Sequence, residues 1–276
     1  MPAPRVDAHC IKRKFENGTF DRSLRIIVRL APGTPMSSFP PAKAMVFAAG
    51  LGTRMRPLTD RAPKPLITVA GKPLIDHVLD RFAIAGLETA IVNVHYLACQ
   101  IEEHLATRKI PRILISDERE KLLDQGGGIA KALPLLGPEP FFIANTDAFW
   151  IEGPGNNLGR LAASWDPEGM DILLLVAATA ASVGVDSPGD FYMAPDGRLT
   201  RRPEREIAPF VYTGFGIVKP ALFARETRDI FPLAPFFFEA AKTGRLFGQR
   251  LDGLWLHAGT PQAIEEMERT IARGGI

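Results

Sequence analysis

Cysteine is almost missing from these 276 residues: Cys10 and Cys99 are the only two, and they stand in unlike contexts. Two such residues build neither a disulfide framework nor a zinc knuckle, so a reducing, cytoplasmic setting is expected. An excess of one charge is missing too, since 33 Lys and Arg against 31 Asp and Glu leave a net charge of +2. That balance argues against a nucleic-acid partner, which calls for a concentrated basic surface; an anionic ligand must be met by a few local cations. No apolar run is long enough to span a bilayer. The longest, 172–183, has about a dozen residues where about 20 are needed. Near the N-terminus "LRIIVRL" is interrupted by Arg29, which makes a poor signal segment. Internal repeats, low-complexity segments and any Ser-His-Asp or Cys-His constellation are also lacking.

What is present reads as an ordinary folded chain, 46% hydrophobic and 23% charged, long enough for one large α/β domain. Residues 1–42 hold six of the 24 prolines and end in "APGTPMSSFPP". They are read as a poorly ordered N-terminal extension, with a short strand at 24–30 and Met36 as an alternative start. From Lys43 the pattern is regular. Buried strands are expected in "AMVFAAG", "TAIVNV", "RILIS" and "PFFIANTD". Helices are expected from Pro73 to a stop at Gly86, over "YLACQIEEHLA" and over 129–136. Strands alternating with helices imply a mostly parallel sheet covered on both faces, a Rossmann-like α/β fold. After Trp150 the texture turns β-rich: "DILLLVAAT", a Pro-Asp-Gly hairpin in "GDFYMAPDGRLT", then "FVYTGFGIV", "RLFGQRL" and "GLWLHAG". A helix is expected over 234–242, and Thr260 caps a last helix starting at Pro261.

The stretch "AAGLGTRMRPLTDRAPKP" at 48–65 follows the first strand, where sheets of this kind bind phosphate. A dinucleotide fingerprint needs glycine where Met55 stands, and a Walker loop needs Gly-Lys-Ser/Thr, so both standard readings fail. The remaining choices are an ordinary solvated loop or a glycine turn followed by cations. In the latter, Arg54 offers a planar fork of donors, and Lys64 is held extended between Pro63 and Pro65.

The longer run "AAGLGTRMRPLTDRAPKPLITVAGKPLI", with "DQGGGIAKALPLL", "NTD", "GDF", "YTGFGI" and "GTP", resembles the sugar-1-phosphate nucleotidyltransferases from Lys43 to the C-terminus. The resemblance implies a nucleotide-binding lobe at 43–150 and a small β-rich sugar-phosphate-binding lobe with a C-terminal helix at 151–276. It implies a reaction between a nucleoside triphosphate, UTP first, and an amino-sugar 1-phosphate. GTP with mannose-1-phosphate and dTTP with glucose-1-phosphate are the alternatives. By the same resemblance Ala49, Gly50, Gly52, Thr53 and Arg54 hold the triphosphate, Lys64 stabilises charge, and Gly126 and Gly127 take the base with Gly128 beside them. Asn145, Asp190 and Gly214 touch the sugar phosphate, with Asn93 a weaker candidate on the same rim, and Asp147 holds Mg²⁺, with Mn²⁺ as a substitute. The family's second metal-binding aspartate falls where this chain has His257, in "WLHAGT". By the resemblance His257 is the second metal candidate beside Asp147, an imidazole that ligates Mg²⁺ only poorly. That departure keeps open a nucleotide-binding regulatory protein without turnover. His77, His104 and the "FFF" at 236–238 are read as structural or solvated, and oligomeric state leaves no signal.

Overall fold

Residues 41–274 are described by the computed structural model; the expected order of residues 1–40 and the strand at 24–30 lie outside them. Strand β1 (Lys43–Phe47) is apolar and buried at its centre. Ala44 and Val46 face one core and Met45 the other, as a strand covered on both sides requires. After β1 come three short 3-10 turns and a clip of β2 (Thr68–Val69) and β3 (Lys72–Pro73). Helix α1 (Leu74–Ile84) starts behind Pro73 and buries Leu74, Ile75, Val78, Leu79 and Phe82, the face its spacing predicts. Gly86, at φ 84°, then turns the chain toward β4 (Thr89–Val94). Helix α2 (Ala98–Leu105) begins later than expected, because Leu97 sits at its N-cap with φ 48°.

Strand β5 (Arg112–Asp117) leads to α3 (Asp124–Leu136), which starts five residues before its expected 129 and takes the triple glycine into its first turns. The glycines are a packing device. A Cβ on Gly126 would lie 2.4 Å from the Phe231 ring, and one on Gly127 would lie 2.2 Å from the Asp229 carbonyl oxygen. Strands β6 (Phe141–Asn145) and β7 (Ala148–Glu152) follow, then α4 (Asn157–Ala163), which the sequence reading does not anticipate.

The second half adds β8 (Ile172–Ala178), the hairpin of β9 (Phe191–Met193) and β10 (Leu199–Arg201), and β11 (Phe210–Val218). Helix α5 (Ala234–Lys242), β12 (Leu246–Arg250), β13 (Gly253–His257) and α6 (Pro261–Gly274) complete it. Thr260 Oγ1 accepts from the Ala263 amide at 3.2 Å, the expected cap of α6.

One nine-stranded sheet carries both halves. Its main path runs β10-β9-β11-β6-β1-β4-β5, and β8 joins β11 to β12. Strands β6, β1, β4 and β5 are parallel, whereas β11 is antiparallel to β6. Helices α1, α2 and α4 pack on one face, α3 and α5 on the other. The antiparallel β6–β11 pairing brings the start of β11 alongside the carboxyl end of β6. No helix among the described residues is long and apolar enough to cross a membrane.

Candidate active site

The carboxyl ends of β1 and β4 are tied together before any ligand arrives. The Ala48 amide donates to Asn93 Oδ1 at 2.7 Å, and Asn93 Nδ2 donates to Glu118 Oε1 at 2.8 Å. Glu118 Oε2 accepts from the Leu123 amide at the start of α3. Burial pushes the Glu118 carboxyl pKa up, and these hydrogen bonds oppose it. Asn93 is thus a buried brace, and Gly128, whose Cβ would crowd Asn93 and Glu118, packs on it.

Above this layer lies a cavity of about 450 Å³ lined by Ala49, Gly50, Lys64, Gln125, Asn145 and Asp147, among others. A Cβ on Gly50 would meet nothing within 4 Å, so the glycine leaves a cradle open toward the cavity. A second cavity of about 710 Å³ shares Asn145 and Asp147, and adds Arg54, Tyr212, Gly214 and His257. Gly214, at φ 90° in the irregular part of β11, lets that strand approach Asn145; a Cβ there would lie 2.9 Å from the Asn145 Cβ.

Lys64 and Asp147 meet where the two cavities join. Pro63 is extended, but Lys64, expected to be extended before Pro65, opens a 3-10 turn, Lys64–Leu66, so the proline support is a turn and not an extended segment. Its Nζ donates to Asp147 Oδ2 at 2.7 Å, with the lysine side chain 13% exposed. His257 Nε2 lies 3.6 Å from the same oxygen, and its ring stacks by Trp255. Asp147 Oδ1 is buried with no hydrogen-bond partner among the described residues. Burial pushes the Asp147 pKa up, but contact with His257 and the Lys64 charge outweigh it and hold the carboxylate well below its usual range. It is ionised near neutral pH.

The other predicted residues divide. Arg54 is exposed in a 3-10 turn, Thr53–Met55, and makes no hydrogen bond or ion pair among the described residues, which leaves its guanidinium for an anion. Thr53 and Gly52 line neither cavity. Gly52, at φ 63°, packs instead against Thr59 and the Lys64 stem, so it shapes the loop that carries Lys64. Gly126 and Gly127 pack against the 229–231 segment, and Asp124 and Gln125, just before them, line the first cavity. Asp190 stands beside β11. It lines neither cavity; its Oδ2 accepts from the Tyr212 amide at 2.8 Å and pins β11.

Two residues escaped the sequence reading. Gln125 Nε2 donates to Asn145 Oδ1 at 2.8 Å and so links the cavities. Tyr212 lines the second cavity with its hydroxyl buried and unpartnered among the described residues. Burial, and then the Asp147 charge, push that phenol far up, so it remains a donor. Both stand inside quoted motifs, Gln125 in "DQGGG" and Tyr212 in "YTGFGI", but the glycines beside them drew the reading. His77 stacks on Phe149 at 4.0 Å and donates to the Val69 carbonyl, His104 donates to Asp76, and Phe237 is core, all structural as read.

A nucleotidyl transferase family model matches residues 43–174. An N-acetylmuramate alpha-1-phosphate uridylyltransferase of Caulobacter vibrioides is 49% identical over 84% of this chain and 98% of its own length. One of Neisseria meningitidis is 37% identical over 82% and 96%. Among solved structures, a putative glucose-1-phosphate thymidylyltransferase from Bacillus anthracis covers 83% of this chain and 94% of its own, at TM-score 0.69 and 14% identity. At that identity it speaks for the fold alone, and the fold agrees. The chain belongs to the nucleotidyltransferases, enzymes that transfer a nucleotidyl group to a sugar 1-phosphate.

Proposed function

We propose that this chain transfers uridylyl from UTP to N-acetylmuramate α-1-phosphate and releases pyrophosphate, in the cytoplasm and in the recycling of cell-wall sugars. The observation that carries the choice of substrates is the 49% identity to the Caulobacter vibrioides uridylyltransferase over nearly all of that protein's length. A mannose-1-phosphate guanyltransferase of Xenopus laevis is 29% identical, and the match spans 62% of its length, which supports the GTP pair less well.

The chemistry asks little of a general base. A phosphate monoester has its second pKa at about 6, so the attacking oxygen is an anion near neutral pH. That oxygen bonds to the α-phosphorus of UTP, the bond from the α-phosphorus to the oxygen bridging it to the β-phosphate breaks, and pyrophosphate leaves with the electron pair. The obstacle is repulsion between anions and their alignment, which positioning and fixed charge overcome. Here the first cavity takes the nucleotide, with the Gly50 cradle and Ala49 beside the phosphates. Arg54 grips the triphosphate from the second cavity, near where the two cavities join, and Lys64 supplies the partly buried positive charge where the phosphates meet. Asn145 and Gly214 shape the sugar side.

A divalent cation fits Asp147. Its unpartnered, ionised Oδ1 is the hard oxygen that Mg²⁺ prefers, and Mn²⁺ accepts the same donor. Among the described residues no cluster of three His, Cys, Asp or Glu could hold a metal ion, so phosphate oxygens and water would complete the shell. When bound, the cation would neutralise phosphate charge. The reading without turnover rests on His257 alone; Lys64 and Asp147 in contact favour the enzyme.

The test is pyrophosphate release by purified protein over a grid of triphosphates and sugar 1-phosphates, with and without Mg²⁺. UTP with N-acetylmuramate α-1-phosphate should give the highest kcat/KM. Another best pair changes the substrates, and a grid without turnover leaves the binding protein.

A further inference from the structure

Tyr212 is held in place by more than its own packing. Its ring meets Phe237 edge-on at 5.3 Å between centroids, and its amide donates to Asp190 Oδ2. The neighbouring Thr213 is anchored through its hydroxyl to the Leu175 carbonyl at 2.8 Å. The residue is therefore fixed on both its backbone and its ring, yet its hydroxyl is buried and meets no hydrogen-bond partner among the described residues. A buried hydroxyl left unpaired costs free energy, and folding alone gives no reason to keep it, since phenylalanine has the same shape without the cost. The cavity it lines also holds Asn145, Gly214, Asp147 and Arg54.

We propose that the Tyr212 hydroxyl is a specificity-determining hydrogen-bond donor to the sugar 1-phosphate, and that Asp190 is the positioning residue that aims it. The proposal rests on reading the second cavity as the sugar-phosphate side. The donor meets an oxygen on a ring substituent of the bound sugar 1-phosphate, the part in which one sugar differs from another. The unsatisfied group of the free enzyme then becomes a satisfied one in the complex, and a sugar without an acceptor at that place is rejected because it leaves the hydroxyl buried and unpaired. The sequence pattern placed Asp190 in contact with the sugar. The structure moves that contact one step along the chain of hydrogen bonds, to the residue Asp190 holds.

The experiment uses the full chain and Tyr212→Phe. Affinities for UTP and for sugar 1-phosphate are measured separately by calorimetry and by KM, with the sugar 1-phosphate that the wild type binds best, so an error in naming the sugar leaves the test intact. The expected result is about a five- to tenfold loss for the sugar 1-phosphate, the size of one neutral hydrogen bond. UTP affinity should hold, and Tm without ligand should be unchanged or raised, because the variant removes an unpaired buried group. Asp190→Ala should weaken sugar-phosphate binding in the wild-type background and add nothing further in the Tyr212→Phe background. Unchanged sugar-phosphate affinity overturns the proposal. So does a loss that falls on UTP, or a fall in Tm with equal losses for both substrates, which would mark Tyr212 as structural.

Discussion

Lys64 is the residue on which most of the charge argument converges, because its ammonium is the partly buried cation in contact with the site carboxylate. Lys64→Ala should lower kcat by about 10² or more, the scale of one preorganised electrostatic contact, with a smaller change in KM. Single-turnover kinetics at saturating substrate would show it, and near-normal kcat would reduce the lysine to a structural partner of Asp147. Asp147→Asn should nearly abolish turnover, since it removes the negative charge of the carboxylate whose Oδ1 has no hydrogen-bond partner among the described residues. His257 admits two accounts, ligation of the cation or orientation of Asp147 through the 3.6 Å contact. Mn²⁺ accepts nitrogen more readily than Mg²⁺, so ligation gives the wild type a Mn²⁺ advantage that His257→Ala loses and His257→Asp reverses. The same Mg²⁺/Mn²⁺ ratio in all three proteins would leave only the orienting role.

Glycines show how an element can hide its purpose in the sequence. Gly50 and Gly127 both read as ligand-facing, but their surroundings differ: a Cβ on Gly50 enters open space and one on Gly127 meets a backbone oxygen at 2.2 Å. Gly50→Ala should therefore keep the wild-type Tm and raise KM for the triphosphate. Gly127→Ala gains up to about 1 kcal/mol of helix propensity and loses about 1–3 kcal/mol to overpacking against backbone that cannot yield, a net fall in Tm of a few degrees. Thermal melts of the two variants separate the roles. At the start of β8, Asp171 pins three strand ends, pairing Lys219 Nζ at 3.2 Å and Arg245 Nε at 2.9 Å. Burial raises its pKa, but the hydrogen bonds from Arg245 and Lys219 prevail and bring it below the ordinary 3.8. A depressed carboxylate adds stability above its unfolded pKa and loses it as pH falls through the folded one. Asp171→Asn should thus lower Tm at neutral pH, and the gap to wild type should close below about pH 4. These strand ends were legible as strands because apolar runs report burial; their charge clasp was not, because its three members are far apart in the chain.

At the scale of the molecule, the parallel half of the sheet and its helices could be read from periodicity, since each element there carries its own pattern. What escaped was the pairing between distant pieces: β11 running against β6, and the separate ribbon of β7 with β13. That pairing sets the site, since it brings Tyr212 and Gly214 beside Asn145 and carries His257 to Asp147. Residues 1–40 lie outside the described residues. The family match begins at 43, and 84% of this chain accounts for 98% of the Caulobacter vibrioides relative. Every residue assigned a role in binding or catalysis lies between Ala49 and His257. A protein beginning at Met36 should therefore keep kcat and both KM values within about twofold of the full chain, and its Tm within about 2 °C. Steady-state kinetics and melts of the two proteins decide it. A large fall in Tm would mean that residues 1–35 pack on the catalytic unit, and a fall in kcat at constant Tm would mean that they contribute to the site itself.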